Sequence, residues 1–313
     1  MLNRRFLRIK VMQALYAFFQ HENADPKQFE KELFRSLDKI YDLYLTLLAL
    51  LGDMHHVAHL IMDENRNKRL PGKEDLSPNM KFAENILLKS IVGNRELKGV
   101  LEKRKISWQN DFDLVRKLFG QVRNSKLYKQ YMQQPFDNDI VHDRNFMIAL
   151  ITDVLSQSEL LTSYLEEKNI YWADDSFVAF NSLIRTFEDF NGEFQLPPLL
   201  KDEKDDMDFM SDLFSKTILY RQHFEELIDK HTRNWEIERI ASMDMLLMEM
   251  ALAEILHIPN VPVKASLNEY IDISKQYSTP NSKVFVNGVL DKVIAELKRE
   301  GRIEKTGRGL KES

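Results

Sequence analysis

Residues 259–298, PNVPVKASLNEYIDISKQYSTPNSKVFVNGVLDKVIAELK, contain two helical patterns that decide the fold of this chain. Leu267, Ile271 and Ser274 recur at the three- and four-residue spacing of an α-helix. Residues 278–282 then form a cluster of turn and helix-start residues, which predicts a break before a second helix. That second helix repeats apolar residues at its core-facing positions: Val286, Val289, Leu290, Ile294 and Leu297.

The first turns of this second helix carry a cation, an aromatic ring and an amide, at Lys283, Phe285 and Asn287. The N-terminal end of a helix has partial positive charge, so anions are favoured there. The pattern therefore fits a helix start that faces a phosphate or a nucleobase. The spacing fits equally a helix whose Phe285 belongs to the core and whose Lys283 is only solvated.

The N-terminal twenty residues form a second candidate site on a predicted amphipathic helix. The first ten residues contain four basic side chains and no acidic one: Arg4, Arg5, Arg8 and Lys10. Guanidinium groups bind phosphates in pairs and stack on unpaired bases. A basic helix start is also common as a solvated terminus, and that alternative stays open at this point.

Together the two segments resemble the NusB family of transcription antitermination factors. The C-terminal motif is VKASLNEYIDISK followed by FVNGVLD, and the opening RRFLRIKVMQALYAF is similar to the family's arginine-rich first helix and Q-A-L-Y segment. The resemblance implies an all-α protein without a cofactor that binds single-stranded boxA RNA together with NusE, the small-subunit ribosomal protein. Both would act in an antitermination complex on RNA polymerase. The implied RNA contacts are Arg4, Arg5, Arg8, Tyr16, Lys283, Phe285 and Asn287.

The resemblance also implies a NusE contact, since the family presents acids around its central helix; here these are Glu238 and Asp244. Two positions depart from the family. Val284 stands where a basic residue is frequent, and Glu249 stands where arginine is common. An ion pair made at the latter position is therefore expected to be lost or remodelled.

The resemblance covers residues 1–20 and about 205–298, so residues 21–200 are expected to be an insertion. Three phenylalanines, Phe82, Phe146 and Phe209, each precede a tryptophan by 26 residues, which gives periods of 64 and 63. Each unit is predicted to have one long helix, a turn anchored by Trp108, Trp172 or Trp235, and a second helix beginning near an acid. The predicted fold class is all-α, a NusB-like bundle with an inserted array of helical hairpin units of period about 64. The predicted domains are 1–20, the first helix of the core; 21–200, the insertion with units at about 80–125 and 144–190; 201–298, the C-terminal bundle; and 299–313, a polar tail.

The amino-acid composition limits the fold classes and functions that this chain can have. The 313 residues include only 10 glycines and 9 prolines with 43% hydrophobic residues, which favours a globular, mostly helical protein. A net charge of −5 restricts any nucleic-acid binding to a local patch. The chain has no cysteine, which excludes disulfides and thiolate chemistry and fits a reducing compartment. No signal peptide or membrane-spanning run is evident, so a soluble cytoplasmic protein is expected.

Two alternative functions can be compared with the sequence. One is a helical scaffold whose inserted repeats bind a protein partner. The other is an RNA-binding accessory module of an rRNA methyltransferase of the Sun family, which requires a glycine-rich loop and a catalytic cysteine that this sequence lacks.

Three local features carry smaller expectations. His55 and His59 have the spacing of a metal pair, although an ordinary helix surface explains them as well. Residues 68–79 are predicted to be a loop, and the acidic segment 186–212 a solvated linker.

Overall fold

The structure is a computed structural model that describes residues 1–135, 139–232 and 240–310. Within these ranges the chain is built from α-helices and contains no β-strand, which confirms the predicted all-α class. The helices are α1 (Arg4–Gln20), α2 (Pro26–Arg66), α3 (Lys73–Leu76), α4 (Ile86–Gly93), α5 (Arg95–Arg104), α6 (Phe112–Asn124), α7 (Lys126–Gln133), α8 (Ile140–Ala149), α9 (Glu159–Lys168), α10 (Ser176–Glu188), α11 (Glu203–Leu219), α12 (Arg221–His231), α13 (Ser242–His257), α14 (Val263–Tyr277) and α15 (Ser282–Arg299).

The chain divides into two compact units. The first, called the insertion unit here, contains Met1 and Leu37–Leu199; the second, called the terminal unit, contains Leu2–Ser36 and Leu200–Ser313. Helix α2 therefore contributes its first residues to the terminal unit and the remainder to the insertion unit.

The core of the insertion unit forms around the apolar face of α2, and two tryptophans are anchored to that helix. The indole Nε1 of Trp108 donates to the carbonyl oxygen of Thr46 at 3.0 Å, and that of Trp172 to the carbonyl oxygen of Lys39 at 2.9 Å. Both rings are buried. The prediction that these tryptophans are packing anchors is confirmed, whereas Trp235 lies outside the described residues.

The prediction of one long helix before each tryptophan is wrong. The first of these helices breaks at Asn94, whose side chain accepts from the backbone N–H of Leu97 at 2.8 Å and caps the start of α5. The second breaks around Ser158, which caps α9 in the same way, and the third ends at Tyr220. Asparagine and serine compete for backbone N–H groups, so they end one helix and begin the next.

The two smaller loop predictions also need correction. Residues 73–76 of the expected loop form the single turn of α3, where Asp75 accepts from the backbone N–H of Gly72 at 2.9 Å. The acidic segment is a linker only between the end of α10 at Glu188 and Asp202, which caps α11 by accepting from the backbone N–H of Asp205. The acids that follow complement the partial positive charge of that helix start.

The histidine pair lies on α2 with His59 Nε2 3.3 Å from His55 Nε2, which also lies 3.0 Å from the carbonyl oxygen of Ala83. Burial lowers the pKa of His55 below its ordinary value. Across the described ranges no group of three potential metal ligands is found.

By length and composition alone, α2 could cross a membrane, since one 18-residue window has a mean hydropathy of 1.4. However, 56% of that window is buried inside the protein, and the core helix of a soluble protein passes the same test.

The terminal unit is organised around α13. This helix contacts α1, α11, α12, α14 and α15, and its residues from Leu246 to Ile255 are buried on every side. The stretch MDMLLMEMALAEIL is apolar nearly all round, a pattern that predicts a central buried helix, and the structure confirms this prediction. The expected polar tail packs against the end of the same helix: the ammonium of Lys305 donates to the carbonyl oxygens of Ile258 at 3.0 Å and Glu254 at 3.3 Å.

Candidate nucleic-acid interface

The three arginines of α1 each bind acids on a different helix of the terminal unit. Arg8 is almost completely buried: its Nε donates to Glu254 Oε2 at 2.8 Å and its Nη2 to Glu254 Oε1 at 2.6 Å. The carboxylate of Glu254 also accepts from Ser266 Oγ at 2.6 Å and from the hydroxyl of Tyr270 at 2.9 Å. Burial lowers the pKa of Arg8, but the charge and hydrogen bonds of Glu254 outweigh it and hold that pKa above its ordinary value.

Arg4 lies nearer the surface and binds the first turn of α11. Its Nη2 lies 2.7 Å from Asp205 Oδ2 and its Nε 3.1 Å from Asp206 Oδ1. Its guanidinium carbon also lies 4.3 Å from the centre of the Phe209 ring, which is a cation–π contact. Asp205 and Asp206 of the acidic segment therefore form ion pairs with Arg4, whereas the sequence predicted a solvated linker.

Arg5 is the most exposed of the three, with 40% of its side chain accessible. It donates through Nε and Nη2 to Glu269 at 2.8 and 3.0 Å, and through Nη2 to Asp272 at 2.9 Å. The hydrogen bonds to Glu269 hold the pKa of Arg5 above its ordinary value. Both acids lie on α14, so these ion pairs connect α1 to the helix that contains the VKASLNEYIDISK motif.

Tyr16 lies further along α1 and lines a cavity of about 580 Å³ together with Phe19, Arg221 and Glu249. The rim of this cavity also includes three acids: Glu225, Glu226 and Asp229. A phosphate is disfavoured beside so many carboxylates.

Glu249 occupies the position where the family commonly has arginine, and only 1% of it is exposed. Burial raises the pKa of Glu249 to about 7, against the opposing effect of Arg221, whose Nε lies 3.4 Å from Glu249 Oε1. The guanidinium of Arg221 in turn stacks on the Phe19 ring at 4.0 Å. The ion pair expected to be remodelled here is thus formed with the positive charge on α12.

The start of α15 presents the second predicted RNA segment. Lys283 and Val284 are exposed, Phe285 is half-buried, and the first turn contains no acidic residue. The amide of Asn287 donates to Asp291 Oδ2 at 3.1 Å one turn along the same helix. The positively polarised start of α15 therefore carries both a lysine and an aromatic ring.

A second cavity of about 580 Å³ opens beside this helix start and is lined by Phe285, Asp244 and Lys292. Asp244 Oδ2 accepts from Ser282 Oγ at 2.7 Å. Its Oδ1 is buried without a hydrogen-bond partner among the described residues. The structure thus places Asp244, predicted to contact NusE, and Phe285, predicted to contact RNA, around one cavity. Glu238 lies outside the described residues.

Sequence reasoning missed the acids that hold the arginines. Glu269 and Asp272 lie three residues apart on one helix face, a spacing that could have identified them as a bidentate partner for a cation. It also missed Lys292, which lies one turn beyond Gly288 on the face of α15 that lines the second cavity.

Fold and site define an all-helical protein with a basic first helix packed on a buried central helix. The NusB family model matches residues 189–295. The chain is 46% identical over 111 residues to the transcription antitermination protein NusB of Salinibacter ruber, covering 36% of this chain and 69% of that protein. It is 45% identical over 103 residues to the NusB protein of Chloroherpeton thalassium, covering 33% and 49%. It is 37% identical over 102 residues to that of Desulfatibacillum aliphaticivorans, covering 33% and 71%.

This chain belongs to the NusB family. Relatives that are named transcription antitermination proteins support a role in transcription antitermination. The matched segment covers about a third of the chain, all of it near the C-terminus.

Proposed function

We propose that this protein binds boxA-type single-stranded leader RNA of ribosomal operons together with NusE, and that the complex loads onto RNA polymerase in the cytoplasm. The observation that carries the proposal is the start of α15, where exposed Lys283 and half-buried Phe285 lie at the positive end of an 18-residue helix. Unpaired bases stack on aromatic rings, and ammonium groups bind the adjoining phosphates.

On α1, the exposed part of Arg5 is the best placed group to extend this surface, and Arg4 is the next. Arg8 has almost no exposed surface to offer a phosphate, so we assign it to holding α1 on α13. Asn287 remains in the proposed RNA surface because its side chain is only half-buried.

The acidic cavity around Tyr16 suits a basic protein better than RNA. Glu225, Glu226 and Asp229 supply negative charge at its rim, and Tyr16 supplies an amphipathic ring of the kind enriched at protein interfaces. Ribosomal proteins bind rRNA through basic residues, so we place the NusE contact at this cavity. The carboxylate of Asp244 is buried and does not line this cavity, so we do not assign Asp244 to the NusE contact.

We also propose that residues 21–200 are an insertion into a NusB-like core whose C-terminal bundle is 201–298, with 299–313 as its tail. The family match to residues 189–295 supports the C-terminal bundle; it begins within the last residues of the proposed insertion and does not include residues 1–20.

The proposal is tested by fluorescence anisotropy with a boxA-like single-stranded RNA and a scrambled RNA, each titrated with and without NusE. We expect a preference for boxA that NusE increases. Lys283→Ala should weaken binding, whereas Lys129→Ala, which removes the same charge from an exposed position on α7, should not. Equal binding of both RNAs, indifferent to NusE and to Lys283, would refute the proposal.

A further inference from the structure

The terminal unit contains a cavity of about 340 Å³ whose lining, in the described part of the chain, includes three arginines and no acidic residue. The lining residues are Arg4, Arg8, Asn260, Val261, Pro262 and Arg308. Arg8 is buried and paired with Glu254, whereas 26% of the Arg4 side chain and 74% of the Arg308 side chain are exposed. Arg4 and Arg308 are therefore the arginines that a ligand in this cavity can reach.

One carboxylate oxygen brings these two arginines together. Asp205 Oδ2 accepts from Arg4 Nη2 at 2.7 Å and from Arg308 Nη2 at 3.1 Å, so the two nitrogen atoms lie no further apart than the sum of these distances. Phosphate oxygens accept from guanidinium groups at about 2.7–2.9 Å, so one phosphate can contact both side chains. Arg4 is also held by Asp206, at 3.1 Å from its Nε, and by the Phe209 ring.

The tail, residues 299–313, positions Arg308 through its backbone. The N–H of Thr306 donates to the carbonyl oxygen of Pro259 at 3.0 Å. Gly309 packs against the same carbonyl so closely that an added Cβ would lie 2.0 Å from its oxygen, so no other residue fits there without a shift. Lys305 bonds the carbonyl groups at the end of α13. Arg308 is therefore placed beside Arg4 before any ligand binds, which lowers the cost of binding.

Both guanidinium groups retain donors for a ligand. A guanidinium has five N–H donors. Among the described residues Arg308 donates only to Asp205, and Arg4 donates through Nε and Nη2 but not through Nη1. Exposed ion pairs contribute about 0–1 kcal/mol, so a phosphate can draw Arg308 away from Asp205 at little cost. Arginine also binds phosphate through two parallel hydrogen bonds, which favours that exchange.

Resting on the proposed function, we propose that this cavity binds one phosphodiester group of the bound RNA between Arg4 and Arg308. The tail lies beyond residues 189–295, which match the family model, so this contact adds a segment outside the match to the RNA surface. A phosphate contact carries no base information but fixes the position of the strand. The site therefore sets the register in which the bases are read elsewhere on the protein.

The test measures binding of the full-length protein to a set of boxA-like RNAs by fluorescence anisotropy. Each RNA has one phosphodiester replaced by an uncharged methylphosphonate, and the preceding nucleotide carries a 2′-O-methyl group in the modified and unmodified strands alike. With the wild-type protein, removal of the charge at the linkage bound in the cavity should lower affinity about tenfold, as expected for lost hydrogen bonds between charged groups.

The Arg308→Ala variant identifies that linkage. Arg308→Ala should weaken binding of the unmodified RNA about tenfold and lower the slope of log affinity against log salt by about 1. It should also reduce the penalty at one linkage to within about twofold and leave the penalties at other linkages in place. Arg302→Ala is the matched control, since Arg302 lies in the same tail, pairs with Glu300 at the surface and does not line the cavity. This control should keep the wild-type affinity and every penalty, and circular dichroism shows whether each variant is folded.

The outcomes separate this inference from the proposed function. If the wild-type protein prefers boxA over scrambled RNA but Arg308→Ala binds equally well or keeps every penalty, the inference is wrong and the proposed function stands. Each RNA is also compared with and without a 5′-phosphate. A loss in Arg308→Ala that depends on the 5′-phosphate and on no internal linkage assigns the cavity to a terminal phosphate and overturns the inference. If boxA and scrambled RNA bind equally, the proposed function itself fails and the inference fails with it.

Discussion

The guanidinium of Arg8 and the carboxylate of Glu254 form a two-pronged ion pair inside the terminal unit, with nitrogen–oxygen distances of 2.6 and 2.8 Å. Ser266 and Tyr270 complete the hydrogen bonds of the same carboxylate. A charge can remain buried only when it is paired in this way. The pair therefore fixes α1 against α13 and α14.

Arg8→Ala should destabilise the terminal unit strongly, because it leaves Glu254 as a buried charge without its counter-charge. Breaking such a buried pair typically costs about 3–5 kcal/mol. Urea unfolding followed by far-ultraviolet circular dichroism measures the change. Arg5→Ala is the matched control: its pairs with Glu269 and Asp272 are partly exposed, so the loss should be below about 1 kcal/mol. Equal losses in the two variants would contradict the structural role of Arg8.

Glu249→Gln should change how stability depends on pH. The pKa of Glu249 is about 7 in the folded protein, above its ordinary value of 4.5, so the folded state binds the extra proton between these limits. Stability supplied by this group is therefore lost as the pH rises from about 5 to about 7. Glutamine removes that dependence, and at about pH 8 the variant should be more stable by roughly 1–3 kcal/mol.

Glu226→Gln provides the comparison for that experiment, since Glu226 is exposed at the same cavity and is not one of the groups that raise the pKa of Glu249. Its curve of unfolding free energy against pH should follow that of the wild-type protein. A wild-type curve that is flat or rises across the same window would show that Glu249 ionises normally.

Phe285→Ala and Lys283→Ala should weaken RNA binding in different ways. Loss of a stacking ring costs about 1–3 kcal/mol per base. Loss of one phosphate contact should lower the salt dependence, with the slope of log affinity against log salt reduced by about 1. Anisotropy titrations at several salt concentrations distinguish the two. A salt slope that falls with Phe285→Ala and not with Lys283→Ala would reverse the assigned roles.

Ending the chain after Arg299 should destabilise the terminal unit, although the sequence suggested only a polar tail. The deleted residues include Lys305, which donates to two carbonyl groups at the end of α13, an arrangement that stabilises helix C-termini. Lys305→Met should reproduce part of the loss, about 1–2 kcal/mol for two hydrogen bonds. Arg308→Ala, which removes an exposed pair with Asp205, should change stability by less than about 1 kcal/mol. An unchanged unfolding midpoint in the truncated protein would mean that the segment is dispensable.

Periodicity predicted the elements that local sequence determines. The nearly all-apolar pattern of α13 and the two helices of the opening stretch were predicted correctly, because burial on every side or on one face leaves a direct pattern of apolar residues. Helix breaks were missed where Asn94 and Ser158 cap a new helix within an otherwise continuous apolar pattern. A capping side chain changes the backbone without changing the pattern of apolar residues.

The candidate site was harder to predict, because its partners are far apart in sequence. Arg5 and Glu269 are 264 residues apart, and Arg8 and Glu254 are 246 apart. Sequence spacing shows which face of a helix is basic, but it does not show which helix packs against that face. The unused oxygen of Asp244 depends on the same long-range packing and leaves no signal in the sequence.

The carboxylates that hold Arg4 and Arg5 act as resident anions on the helix proposed to bind RNA. Any polyanion that reaches these guanidinium groups competes with Asp205 or Glu269 for them, so each new phosphate contact is gained partly by exchange. A ligand that binds through charge alone gains little binding free energy from such an exchange. An RNA strand that also binds through its bases elsewhere on the protein keeps a net gain in binding free energy. Competition at α1 would therefore reduce the binding of nucleic acids of arbitrary sequence.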